Sequence, residues 1–378
     1  AVSALARERG QPVLLVVARP EQAEAMAEEL AAWLGDQGEA RLFPERESLP
    51  YERLPPDPRA VASRLSLLAR LPRGGPLVIV ASARALAQRT LTPRELAEGS
   101  LTLRPGDALE PGSFLAWLLY LGYTLEPLVE RPGQAARRGG IIDLFPPAAE
   151  LPLRIELWGR QIESLRQFDP ASQRSLQPLT EARIVPAREA LLAAPPWLDS
   201  LDHSACPPPV WARFQQEREA LREGLGFEGE YFYVPFLARG TLLDHLPPDA
   251  LVVLDEAASI DGALMEMEGR SEEARRELEE RGEVPRGLPL PHVSARELMA
   301  ALRGWPRLLL LTRWAAGEEA LRLPFAPAPG YGGQLQRLLT DALREERRHG
   351  SVVIVSHQAP RLAELLAGRG AEASPVEE

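Results

Sequence analysis

Three side chains in one stretch have the types and spacing of a protein-docking site. Read with a period of two, Leu151, Leu153, Ile155 and Leu157 fall on one face of a short strand. Arg154, Glu156 and Trp158 fall on the other. A tryptophan beside an arginine on a polar face has the composition of a binding hot spot, a broad apolar anchor next to a fixed cation. Arg138 lies one strand earlier. With the connecting turn centred near Pro147–Ala148, it falls approximately opposite the Arg154–Trp158 end. The same pattern also fits a tryptophan packed beneath a neighbouring loop with solvated arginines, and alternation does not choose between the two.

A second candidate is Asp255-Glu256, which ends the apolar run Leu251–Leu254. In an ATPase, acids at such a strand end position Mg²⁺ and a water. At the start of a helix the same acids serve as an N-cap favoured by the helix dipole. The N-cap reading is preferred, because all 43 basic residues are arginine. Without a lysine, neither a P-loop nor a Schiff-base site exists within the chain. Cys206 and His203 are too few ligands for structural zinc. His357 follows an apolar strand without a visible partner and reads as a loop or cap residue.

The elements that must position these residues follow from periodicity. Val13 to Val17 and Leu77 to Ala81 are continuous apolar runs, with Leu42-Phe43 a short strand between them. Glu21 to Trp33 and Ala60 to Leu71 have helical spacing. Apolar runs alternating with helices indicate a parallel sheet covered on both faces. From about residue 100 turn signals come every 8 to 12 residues. Ser113 to Leu121 reads as a helix capped by Ser113. Residues 137 to 146, 151 to 159 and 161 to 169 read as three strands, and Ala182 to Val185 adds one more. Helices return over Trp211 to Gly224 and Glu266 to Arg281, with a further buried strand at Leu308 to Thr312. Phe325 to Gly333 is a Pro/Gly-rich linker. Beyond it a helix (Leu335 to Arg347), a strand (Val352 to Ser356) and a helix (Ala359 to Leu366) open another small α/β domain.

Composition narrows the function. The 378 residues predict two to three domains. No apolar run approaches the roughly 20 residues of a membrane span. The chain begins at Ala1 without a signal-peptide pattern and carries a single cysteine, so a piece of a longer cytoplasmic protein is expected. A net charge of −11 disfavours non-specific nucleic-acid binding by the whole body. Between Arg131 and Arg174, however, seven arginines outnumber five acids. A local basic face on an acidic body suits a specific acidic partner. Nothing suggests a dimer seam, so a monomer is expected.

Four segments resemble the amino-terminal region of the transcription-repair coupling factors, the Mfd family. They are Phe43-Pro44-Glu45-Arg46-Glu47-Ser48-Leu49-Pro50-Tyr51, Gly122-Tyr123 to Gly133, Arg138-Gly139-Gly140-Ile141-Ile142-Asp143-Leu144-Phe145-Pro146, and Phe168-Asp169-Pro170-Ala171-Ser172-Gln173-Arg174-Ser175. The resemblance runs from near Gln11 to about Arg313 and more loosely to the end. That region is similar to the excision-repair protein UvrB, whose domains it repeats in degenerate form. The resemblance implies an α/β class: a helicase-like, UvrB-like parallel-sheet domain split by a small α+β insert, then the start of a further small α/β domain. Residues 1–99 and 186–325 would form the split domain, 100–185 the insert that docks UvrA, and 326–378 the linker and third domain.

On the same resemblance Arg138, Arg154 and Trp158 match positions of the family's UvrA contact. Asp255 and Glu256 stand where UvrB has its Walker B acids. The UvrB P-loop would lie just before Gln11, and its damage-inserting hairpin between Phe43 and Leu65; neither is legible here. The implied function is non-catalytic recruitment of UvrA by mimicry of UvrB, with the docking surface masked by the motor part of the parent chain. No cofactor is expected within these residues. ATP and Mg²⁺ belong to the motor, and contacts with RNA polymerase and DNA to domains beyond residue 378. The alternatives are a UvrB-type helicase fragment with ATPase activity, which a Gly-Lys-Thr upstream of Ala1 would favour, and a structural clamp that binds only its own motor domains.

Overall fold

The computed structural model describes residues 2–224, 226–312, 329–356, 358–371 and 373–375. The chain divides into two compact units, residues 1–314 and 315–378. The larger begins with α1 (Val2–Arg9), β1 (Val13–Val17), α2 (Pro20–Leu34), β2 (Glu39–Phe43), α3 (Pro58–Arg70) and β3 (Leu77–Ser82). Two short helices follow, α4 (Ala83–Ala87) and α5 (Pro93–Glu98). Next come β4 (Leu101–Leu103), α6 (Pro111–Tyr120), β5 (Thr124–Leu125), β6 (Gln134–Arg138), β7 (Ile141–Leu144), β8 (Leu153–Trp158), β9 (Gln161–Phe168), β10 (Ser175–Pro178) and β11 (Ala182–Ile184). The unit closes with α7 (Pro208–Glu223), α8 (Val234–Leu237), α9 (Leu242–His245), β12 (Leu251–Asp255), α10 (Ala257–Glu280), α11 (Ala295–Arg303) and β13 (Leu308–Leu311). The smaller unit holds α12 (Leu335–His349) and α13 (Ala359–Ala367).

A five-stranded parallel sheet, ordered β13-β12-β1-β3-β2, is the frame of the larger unit. Every residue of β1 and β3 is buried, as continuous apolar strands require when helices cover both faces. Leu14, Val16, Ile79, Val252 and Leu254 pack against α3, α4, α10 and α11. Val13, Leu15, Val17, Val78 and Val253 pack against α1 and α2. Each fully buried Leu, Ile or Val contributes roughly 1.5–3 kcal/mol relative to exposure. Strands from before residue 100 and after residue 250 thus share one sheet, and the residues between β4 and β11 are an excursion from it. Residues 44–57, between β2 and α3, carry no strand and hence no hairpin.

The excursion leaves and returns through one narrow neck. β4 and β11 pair antiparallel, Leu103 opposite Ala182 and Leu101 opposite Ile184. The expected Ala182–Val185 strand therefore belongs to this ribbon and not to the inserted sheet. Just past the neck, Glu189 is buried between two guanidinium groups of the body. Arg64 Nε lies 2.7 Å from one carboxylate oxygen and Arg46 Nη1 3.1 Å from the other. Burial alone would raise the Glu189 carboxyl; Arg64 and Arg46 outweigh it and hold it below the usual range. Burial pushes Arg64 down to about 10. An aromatic-rich core built on Phe214, Phe232, Tyr233 and Phe236 completes the chain beyond the neck.

Several elements differ from expectation. The cap of α6 is Glu110, whose carboxylate accepts from the Ser113 N–H, so the helix starts before the serine. α10 begins at Ala257, because Ile260 and Leu264 supply a buried stripe upstream of the charged segment. Val352–Ser356 is not a paired strand: Val353 and Val355 are exposed, and the described residues of its unit offer no neighbouring strand to complete a ladder. His357 and the first four residues of the expected linker, 325–328, lie outside the described residues. Among the described residues no helix is long and apolar enough to cross a membrane.

Candidate functional site

The inserted sheet has six strands in the order β10-β9-β8-β7-β6-β5. One face, carrying Ala135, Ile142, Leu144, Leu153, Ile155 and Leu165, packs on Phe114 and Leu118 of α6. The alternation along β8 puts Arg154, Glu156 and Trp158 on the opposite face. Trp158 is 79 % exposed, which excludes a ring tucked under a loop.

The expected strand over 137–146 is in fact a hairpin. Arg138 pairs with Ile141 across Gly139-Gly140, and Gly139 takes φ +60°, the left-handed conformation that glycine adopts without penalty. A side chain at Gly140 would also meet the Leu157 carbonyl at 3.0 Å. The neighbouring turn between β8 and β9 follows the same plan. Trp158 pairs with Gln161, and Gly159 takes φ +65°. Both tight turns lie at the same end of the sheet, since Ile141 stands opposite Glu156.

Arg138 is therefore not opposite the Arg154–Trp158 strand. β7 lies between them, and two strand spacings amount to about 10 Å. What Arg138 shares with Trp158 is the end of the sheet. Ile141, 36 % exposed, fills the gap between them and was not singled out from sequence. The Gly-Gly pair is the signal that finds it, because two glycines after a strand residue mark a two-residue turn.

Arg154 has a different setting. Its Nε donates to Asp143 Oδ1 at 2.8 Å and its Nη2 to Oδ2 at 2.9 Å, a bidentate pair on adjacent strands. Its Nη1 donates to the Gln173 carbonyl and to Ser175 Oγ, both at 3.2 Å. The guanidinium carbon lies 4.7 Å from the centroid of the Phe168 ring. Only 14 % of the side chain is exposed. Arg138 by contrast is exposed and, among the described residues, makes one side-chain donation, from Nη2 to the Pro127 carbonyl at 2.7 Å.

The second candidate lies at the end of the parallel sheet. Glu256 occupies the N-cap position of α10 without a side-chain cap bond, at φ +57° and ψ +68°. Its N–H donates to the Leu311 carbonyl at 2.9 Å, and its carboxylate accepts from Thr312 Oγ1 at 3.3 Å. The N-cap expectation is thus met in position but not in bonding. The chain contains no lysine, the residue with which a P-loop reaches the nucleotide phosphates. His203 packs its ring on Trp211 at 3.9 Å. Among the described residues no three His, Cys, Asp or Glu side chains group as metal ligands.

A family model for the UvrB interaction domain matches residues 101–189, the neck and everything it encloses. The transcription-repair-coupling factor of Bacillus subtilis (strain 168) is 31 % identical over 289 residues, 72 % of this chain and 24 % of that protein. This chain is related to the transcription-repair coupling factors. The counterpart from Mycobacterium bovis is 36 % identical over 275 residues, 67 % of this chain and 21 % of its own length. That from Escherichia coli (strain K12) is 28 % identical over 384 residues, covering 97 % of this chain and 32 % of the protein. The chain thus spans between about a fifth and a third of the relatives' length, and its counterpart is their amino-terminal, UvrB-like region.

Proposed function

We propose that this region of a coupling factor is a non-catalytic recruitment module that docks UvrA through the inserted sheet, mimicking UvrB. The observation that carries the reading is the exposed end of that sheet. Trp158, Ile141 and Arg138 form an apolar patch flanked by a cation, inside the segment that matches the UvrB interaction domain. Trp158 supplies the anchor, and Arg138 makes charge-assisted hydrogen bonds to acids of the partner. Arg154 belongs to the same face, behind the patch. Asp255 and Glu256 take no part, and these residues hydrolyse no nucleotide, since a P-loop lysine is missing from them. In a longer parent the motor part competes for the face, and RNA polymerase and DNA are met elsewhere.

Isothermal calorimetry of the chain with purified UvrA tests this. The wild type should bind. An Arg138→Ala/Trp158→Ala double variant should lose at least about tenfold, since one charge-assisted bond alone is worth roughly 1.5–3 kcal/mol. Absence of wild-type binding would move the structural-clamp reading ahead. Equal binding by both proteins would place the contact elsewhere.

A further inference from the structure

We propose that Arg154 is a positioning residue for the docking face, acting with the buried Asp143 through Gln173 to hold the loop on which the Arg138 guanidinium rests. The proposal rests on the docking reading above and assigns roles within that surface. Asp143 is 2 % exposed, so no partner touches it. It orients Arg154 by the bidentate pair, and Arg154 in turn holds the Gln173 carbonyl. Gln173 is held at φ +59°, a left-handed conformation that a non-glycine residue adopts only where its surroundings enforce it.

In that conformation the Gln173 side chain reaches across to the loop before β6. Its Nε2 donates to the Val129 carbonyl at 3.1 Å and to the Pro170 carbonyl at 2.7 Å. Val129 itself is buried with Ala136, Phe145 and Phe168, the last being the ring beneath Arg154. Two residues from Val129, the Pro127 carbonyl receives Arg138 Nη2 at 2.7 Å. Hydrogen bonds thus link Asp143, Arg154, Gln173 and Val129, and the backbone from Val129 to Pro127 carries the series on to Arg138. It crosses from the centre of the sheet to the exposed cation. The guanidinium of Arg154 is already committed to four oxygens of its own chain, whereas that of Arg138 has donors to spare for a partner.

The test combines a double-mutant cycle in UvrA binding with amide hydrogen exchange on the free chain. Asp143→Asn removes the charge of the pair at a site no partner reaches. It should weaken binding at least about fivefold, and that loss should shrink towards nothing in an Arg138→Ala background. A purely structural loss would be the same in both backgrounds. Exchange should quicken in residues 126–133 and 169–175, while β1 and β3 keep their protection. Arg154→Lys keeps the charge but cannot make the bidentate pair, and it should behave as Asp143→Asn does. If Asp143→Asn melts the insert, Arg154→Lys carries the same cycle. Wild-type affinity in Asp143→Asn and Arg154→Lys, or losses that add fully to that of Arg138→Ala, would overturn the proposal. If the wild type itself fails to bind UvrA, the docking reading falls. The exchange measurement then still decides the positioning series, and unchanged exchange in 126–133 would refute it.

Discussion

The two large sheets of the larger unit expose their chemistry in contrasting places. In the parallel sheet the side chains a ligand would meet stand at the strand ends, where Glu256 is tied to Leu311 and Thr312. In the inserted, mainly antiparallel sheet they stand at two glycine turns, where Trp158 and Arg138 face solvent. The parallel sheet carries Asp255 and Glu256 at a strand end in a chain that has no lysine. The inserted sheet adds an exposed tryptophan that stability does not ask for. On the proposed docking reading one sheet is the frame and the other the working surface, joined at a neck whose exit is held by Glu189 between Arg46 and Arg64.

That division can be broken most forcefully at the neck. Glu189→Ala would leave two buried guanidinium groups without their counter-charge, a loss of about 3–5 kcal/mol. Urea unfolding should show it as a lower midpoint. The same pair makes stability pH-dependent. The Glu189 carboxyl sits below the ordinary glutamate value in the folded chain, held there by Arg64 and Arg46 against the effect of burial. Its contribution is therefore present above that value and is lost as pH falls through the depressed folded value. Thermal melts between pH 7 and 3 should show an acid loss that is shallower in Glu189→Gln. An equally steep acid limb in that variant would remove Glu189 from the account.

A smaller effect, of opposite character, is expected at the turns. Trp158→Ala should cost about 2 kcal/mol or more in UvrA affinity, and should leave stability within about 0.5 kcal/mol, because the ring is exposed. Calorimetry and urea titration of the same preparation read both. A large stability loss would mean that the ring is part of the core. Glu256→Gln should have the smallest effect: no change in UvrA binding, and a shift in stability of at most about 1 kcal/mol, the scale of one neutralised charge at a helix terminus. A loss of UvrA binding in Glu256→Gln would bring the end of the parallel sheet into the working surface.

Much of the frame was legible because buried parallel strands leave an unambiguous pattern. Val13–Val17 and Leu77–Ala81 are apolar at every position, and nothing but a two-sided cover explains them. The alternation in β8 likewise put Trp158 and Arg154 on the outer face. The position of Arg138 was less legible, because reading 137–146 as one strand ignored the turn that Gly139-Gly140 makes. The commitment of Arg154 to Asp143 was not legible either. The pair is opposite in register but 11 residues apart in sequence, and only the hairpin geometry brings them together. Val352–Ser356 shows the complementary limit: an apolar run predicts strand propensity, but a strand needs a neighbour.

The central claim is that the inserted sheet occupies the seat UvrB takes on UvrA. The most direct test is competition, adding this chain to a purified UvrA–UvrB complex and following labelled UvrB by fluorescence anisotropy. The account predicts that the chain displaces UvrB to completion, and that Trp158→Ala needs a much higher concentration to do so. A stable complex holding UvrA, UvrB and this chain together would contradict it.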